Sequence, residues 1–216
     1  MGTLVGHVLP GFGFFAIGLW HLFNHLRLLA LNKEPKYKSL LWFPSNYPHL
    51  RYLELYLIMI GCFSSVAMEL FIGPNNHQPF DTDGTIPSNH LQNFEHSFIS
   101  LTFFVYAFFA LALDKRGGPS LPAQYDVIQF LAALAFGQQL LLFHLHSADH
   151  MGVEGQYHWL LQLVIFISLF STILGIAYQG SFVIALTRSL SIIYQGVWQM
   201  VMGIALWTPS LISKGC

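Results

Sequence analysis

Six long apolar stretches punctuate the chain, separated by segments dense in Pro, Gly, Asn, Asp and Lys. A helix needs roughly 20 residues to cross about 30 Å of hydrocarbon. The stretches that reach this length lie at about 3–26, 51–72, 91–113, 124–147, 157–178 and 188–207. Between them stand "NKEPKYKSLLWFPSNYPHL", "GPNNHQPFDTDGTIPSNH", "DKRGGPSLPAQ" and the short "QGS", all with ordinary breaker chemistry. The first stretch lacks a positive leader and a cleavable small-residue end, so it is expected to remain as a span. No repeat, low-complexity tract or soluble domain is visible, and residues 1–216 read as one transmembrane helical domain. The expected fold is an all-α polytopic membrane helix bundle with six spans.

Composition agrees with that pattern. Hydrophobic residues make up 54% of the chain, aromatics 16% and charged residues only 9%, against about a quarter charged in soluble domains. The expected surroundings are a lipid bilayer. The near-neutral net charge of −1 argues against a nucleic-acid partner, and neither a phosphate-binding Gly loop nor GxSxG or HExxH is present. Cys62 in the second span and Cys216 at the end suggest neither a disulfide nor a thiolate metal site.

Charge asymmetry sets an expected orientation, because Lys and Arg in short loops stay on the cytoplasmic side. Loop one carries Arg27, Lys33, Lys36 and Lys38, with Arg51 at its far edge. Loop three carries Lys115 and Arg116, and Arg188 opens the sixth stretch. Loops two and four carry Asp81, Asp83, Asp149 and Glu154 and no Lys or Arg. Loops one, three and five are therefore expected in the cytoplasm, and both termini outside it.

Ionisable groups within spans are costly, on the order of 3 kcal/mol for an acidic or basic side chain at the centre, and ask for a reason. At about 1.5 Å of rise per residue, one level near the non-cytoplasmic surface collects His7, Glu69, Glu95, His96, His144, His146 and His158 from five spans. Nearer the other surface lie Glu54 and the i,i+4 pair His21 and His25. The bland reading is an interfacial polar belt, shared with aromatics such as Trp20, Trp42, Tyr157 and Trp159. The sharper reading is a divalent metal site, most simply zinc, with His96, His144, His146 and His158 as candidate ligands and His7, Glu69 and Glu95 nearby. His144 and His146 are two apart, so on a continuous helix they point about 200° apart and only one faces a given neighbour. His150 is assigned to an exposed turn with Asp149, Gly152, Glu154 and Gly155.

A bis-histidine haem b is a weaker reading, since His7 and His21 on span one find no matching pair on a second helix. A relay through Glu54, Glu69 and Glu95 is another. An enzyme would need ligand atoms converging on one open metal position. A transporter of metal or protons would need a polar path from the outer cluster toward Glu54 and His25. A structural network needs neither.

The segments "GHVLPGFGFFAIGLWH", "RYLELYLIMIG" with "MELF", "EHSFISL", "HLHSADHMGVEGQYHWLLQ" and "RSLSIIYQGVWQMVMGIAL" resemble the transmembrane protein 45 family. The form "HSADHMGVEGQYHW" is closer to its plant viral-response branch. The resemblance implies a multi-pass membrane protein whose domain has no defined function, loosely linked in plants to virus infection or stress. Its recurring pattern covers His7, Pro10, Gly18, Trp20, Glu54, Glu69, His96, His144, His146, His158, Arg188, Gln195, Gly196 and Trp198, none with an established catalytic role. Relatives usually continue with a seventh hydrophobic helix, whereas this chain stops at "SLISKGC", so a shortened form is expected.

Overall fold

A computed structural model describes residues 3–31, 37–45, 47–74, 77–116, 122–149 and 151–211. Every regular element among them is helical, and six helices are long and apolar enough to cross a bilayer. Their α-helical parts are α1 (Leu4–Leu31), α2 (Leu53–Ala67, within a helical span of Pro48–Ile72), α3 (Leu91–Arg116), α4 (Pro122–Asp149), α5 (Gly152–Ala177) and α6 (Phe182–Trp207). A π-helical turn, Met68–Ile72, continues α2, and single 3₁₀ turns precede α2 and α3 and follow α6. The fold is an all-helical membrane bundle, as the pattern of apolar stretches predicts.

Neighbour relations run α1–α6–α5–α4–α3–α2, with a slight contact between α1 and α2 that closes the ring. Successive helices run in opposite directions, so the bundle has two distinct ends. We call them the acidic end, where α1 begins, α6 ends and the loop containing Asp81 and Asp83 lies, and the basic end, with Lys38, Lys115 and Arg116.

The helix boundaries correct two expectations. Arg188 does not open the sixth span: α6 starts at Phe182, where the Ser181 hydroxyl accepts the Ile184 N–H, so Arg188 lies in its second turn and is only 2% exposed. The expected turn holding Asp149, Gly152, Glu154 and Gly155 is mostly helix, because α4 runs to Asp149 and α5 begins at Gly152, whose φ of +68° suits glycine. His150, Lys33, Lys36 and Cys216 lie outside the described residues.

The tightest packing is between α1 and α6. A Cβ on Gly11 would sit 2.8 Å from the Gly196 oxygen, and one on Gly18 would sit 2.7 Å from the Ile193 nitrogen. A Cβ on Gly196 would collide with the Phe15 backbone. Small residues at such crossings let backbones meet closely, the usual route to helix association in lipid. That contact turns His7, Phe14 and His21, seven residues apart, toward the interior. Burial is otherwise inverted relative to a soluble protein. Phe12, Phe23, Phe63, Phe108 and Phe166 face outward, while Asn24, Gln129, Gln139, Ser168, Gln195 and Gln199 are buried. In lipid this is the stable arrangement, since polar side chains find partners only inside the bundle.

Candidate functional site

At the acidic end four helices bring imidazoles into one row. Ring centroids are 4.8 Å apart for His96 and His146, 4.9 Å for His146 and His158, and 5.7 Å for His158 and His7. These residues belong to α3, α4, α5 and α1 respectively. The row starts at the part-exposed pair His96 and Glu69 and passes inward to His146 and His158, the latter 0% exposed. Trp207 stacks at 4.4 Å on His7 and covers the far end of the row.

Each of the four rings is held by Nδ1. His7 Nδ1–H donates to the Thr3 carbonyl at 3.0 Å and His158 Nδ1–H to the Glu154 carbonyl at 2.8 Å. A carbonyl only accepts, so the tautomer of both rings is dictated. His146 Nδ1–H donates to Glu95 at 2.9 Å and His96 Nδ1–H to Glu69 at 3.3 Å, with Asn93 donating to the same Glu69 carboxylate at 2.8 Å. The neutral form of every ring therefore carries its lone pair on Nε2. Backbone carbonyls and carboxylates are the partners that orient metal-binding imidazoles and raise their basicity.

Two imidazoles on one tetrahedral zinc, at Zn–N of about 2.0–2.1 Å, have centroids roughly 5 Å apart, close to each step of this row. Among the described residues no three His, Cys, Asp or Glu side chains are arranged to hold a metal ion. The site is accordingly a succession of neighbouring pairs, not a closed cage.

Of the four sequence-derived ligand candidates, His96, His146 and His158 come together, joined by His7. His144 stands apart. Because α4 is continuous here, His146 turns inward and His144 outward, where it pairs with Gln162 at 3.2 Å; Gln162 in turn donates to Ser147. Glu69 and Glu95 hold rings rather than lining the row themselves.

The basic end carries a second cluster. The Glu54 carboxylate accepts from His21 Nε2 at 2.7 Å, Trp20 Nε1 at 2.9 Å and the Phe43 N–H at 2.8 Å, bridging the thin α1–α2 contact. Arg188 Nη2 donates to the Leu40 carbonyl at 2.9 Å and lies 3.5 Å from His25 Nε2. His25 Nδ1 meets the Tyr37 hydroxyl at 2.8 Å. Burial pushes the Tyr37 hydroxyl up to about 12, against a smaller opposite pull from Arg188. Neither Arg188 nor the Tyr37–Phe43 segment is singled out by residue type alone. The alternation in this segment is one of burial, with Tyr37, Ser39, Leu41 and Phe43 buried and Lys38 exposed, and is not repeated in the residue types of "YKSLLWF".

Between the clusters the interior has two faces. Phe14, Phe103 and Phe136, at centroid steps of 5.5 and 5.3 Å, form an aromatic layer from α1, α3 and α4. On the α5–α6 wall, Gln195 donates to Ser168 at 2.6 Å and Ser168 to Ser191 at 2.8 Å. The amide oxygens of Gln129, Gln139, Gln195 and Gln199 are buried and accept no hydrogen bond from the described residues. Gln129 stands nearest the basic end, where its amide nitrogen donates to the Thr172 carbonyl, and Gln199 packs beside Gly11, one turn below His7. Buried carbonyl-type oxygens are thus present on α4 and α6 at depths between the two clusters.

The half of the bundle that supplies His146, His158, Arg188 and all four of these amides also carries the likeness to known sequences. Residues 125–216 match the model of a family of unknown function (DUF716).

Proposed function

We propose that the protein moves a divalent first-row transition metal ion, of the zinc class, through the helix bundle, taking it up at the acidic end. The observation that carries this reading is the row of four imidazoles, each with Nδ1 tied to a carbonyl or carboxylate, which makes Nε2 the basic nitrogen of the neutral ring. Imidazole suits zinc, copper, iron and nickel, whereas calcium and magnesium want oxygen shells. Conduction needs several weak positions rather than one tight one, and a row of two-ring steps has that form. Buried glutamine oxygens on α4 and α6 lie at depths between this row and His21, His25 and Glu54.

A proton relay is less well served by this geometry. A relaying imidazole takes a proton on one nitrogen and releases one from the other. At His7 and His158 the Nδ1–H faces a backbone carbonyl that passes nothing on. A hydrolytic metal centre would need three converging ligands and an open position. The row of pairs favours passage over hydrolysis.

Under this reading His96 and Glu69 receive the ion, His146 and His158 pass it inward, and His144 is dispensable. The acidic end, with both termini, faces away from the cytoplasm. The motif "HSADHMGVEGQYHW" supports placing the chain in the plant viral-response branch of the transmembrane protein 45 family, with metal handling under infection or stress as its setting.

The test is metal content of the detergent-purified protein, followed by zinc uptake into proteoliposomes. Wild type and His144→Ala are expected to bind and take up zinc, and His146→Ala to lose at least nine-tenths of both. Wild-type protein that neither retains zinc nor carries it sinks the reading, as does equal loss in the two variants.

A further inference from the structure

The segment that links α1 to α2 does not run over the surface. Tyr37, Ser39, Leu41 and Phe43 are all 5% exposed or less, while Lys38 between them faces out. Connections are normally superficial because a buried loop strands its backbone polar groups. Here those groups are met by contacts from around the whole ring. The Ser39 N–H donates to the Gln179 carbonyl in the α5–α6 turn at 2.8 Å, and Leu40 O accepts from Arg188 on α6. Leu41 O accepts from the Tyr106 hydroxyl on α3 at 2.9 Å, and the Phe43 N–H donates to Glu54 on α2. The Ser39 hydroxyl meets that of Tyr125 on α4 at 2.9 Å, and the Tyr37 hydroxyl meets His25 on α1. A strap bonded to all of these elements lies across the basic mouth of the bundle.

Its two charged anchors are also the groups a travelling cation meets. Glu54 holds His21 with one oxygen and the strap's Phe43 N–H with the other. Arg188 has Nη2 on the strap and a buried Nη1 with no partner among the described residues, so the closed arrangement leaves this guanidinium incompletely satisfied. A divalent ion reaching Glu54 and His21 competes for the carboxylate and repels Arg188. Both anchors then loosen together.

Resting on the metal-translocation reading, we infer that Tyr37–Phe43 is a gate closing the basic end of the path, latched by Glu54 and Arg188 through its backbone and released when cargo occupies Glu54 and His21.

The strap's motion can be read without any transport assay. In the full-length protein with Cys62 and Cys216 changed to Ser, Leu41→Cys reports on the strap and Ala132→Cys on the core it packs against, both labelled by a hydrophilic maleimide. The conservative variants Arg188→Lys and Glu54→Asp shorten the latches while keeping their charges. Either is expected to speed Leu41→Cys labelling at least tenfold and leave Ala132→Cys within twofold of its parent. Micromolar zinc is expected to speed the strap site in the parent, where both latches are intact, as well. Labelling of Leu41→Cys that stays within twofold in both variants overturns the gate. So does labelling that rises equally at Ala132→Cys, since the bundle would then be opening as a whole. Strap release in the variants without zinc binding by wild type would retain the gate and remove its metal cargo; zinc binding with a static strap would do the reverse.

Discussion

The two ends of the bundle draw on the same residue types, His and Glu, and use them in opposite ways. At the acidic end the carboxylates of Glu95 and Glu69 serve the rings, each fixing one Nδ1 so that Nε2 is the basic nitrogen. At the basic end a ring serves the carboxylate: His21 Nε2–H is spent on Glu54, which also holds an indole and a backbone amide. Under the proposed reading, a cluster of imidazoles is a ligand row or a latch according to which nitrogen is occupied and by what. Residue type and membrane depth do not distinguish the two.

The sharpest way to break this comparison is to remove the carboxylate at each end. Glu54→Ala strands two buried donors and a part-buried indole and frees the strap, and breaking a buried charge-assisted cluster costs about 3–5 kcal/mol. Glu95→Ala strands one imidazole Nδ1–H, at about 1–3 kcal/mol. Thermal unfolding in detergent should therefore show a larger loss for Glu54→Ala, while zinc retention should fall more in Glu95→Ala. Equal stability losses would mean that the two carboxylates do the same structural work, and the contrast between the ends would fail.

A second perturbation should touch both ends at once. Gly196→Ala puts a methyl against the Phe15 backbone, where no flexible side chain can yield. Overpacking of this kind costs about 1–3 kcal/mol. Because α1 carries His7 to one cluster and His21 and His25 to the other, its displacement should weaken zinc binding and speed strap labelling together. Gly13→Ala, on the same helix with open space around it, should do neither.

The legible and illegible parts of this architecture divide along that same helix contact. Apolar run length and breaker residues were enough for six helices, and rise per residue was enough for the levels of His7, His96, His146 and His158. Depth is one coordinate only. Rotation about each helix axis is set by packing, as where Gly11 and Gly18 meet Gly196 and Ile193, and one sequence contains no direct record of that match. The spacing of His144 and His146 showed that only one could face inward on a continuous helix, without showing which. Arg188 is expected to open the sixth span only because that span is begun at 188, whereas Ser181 caps a helix that starts at Phe182 and carries Arg188 into its second turn. The strap is hidden from the sequence because its period of two is one of burial, while "YKSLLWF" itself, after Tyr37, runs two polar residues and then four apolar ones.

The smallest expected effect lies at the strap's first residue and separates the ends by pH. The Tyr37 hydroxyl titrates near 10 when solvated and is pushed up to about 12 in the closed bundle, chiefly by burial. The closed state therefore holds this proton more tightly than the opened or unfolded chain. The resulting stabilisation is complete below pH 10 and is lost as pH rises toward 12, because only the open chain gives up the proton in that window. Tyr37→Phe removes both the proton and the bond to His25, so it should melt below wild type at neutral pH. The gap between the two melting temperatures should then narrow from pH 10 to pH 12. Zinc retention at the acidic end should stay equal in the two proteins throughout, since no contact of Tyr37 reaches the His96–His146–His158–His7 row. A gap that is constant or widening with pH would mean that the Tyr37 hydroxyl is solvated, and with it that the strap does not seal the mouth.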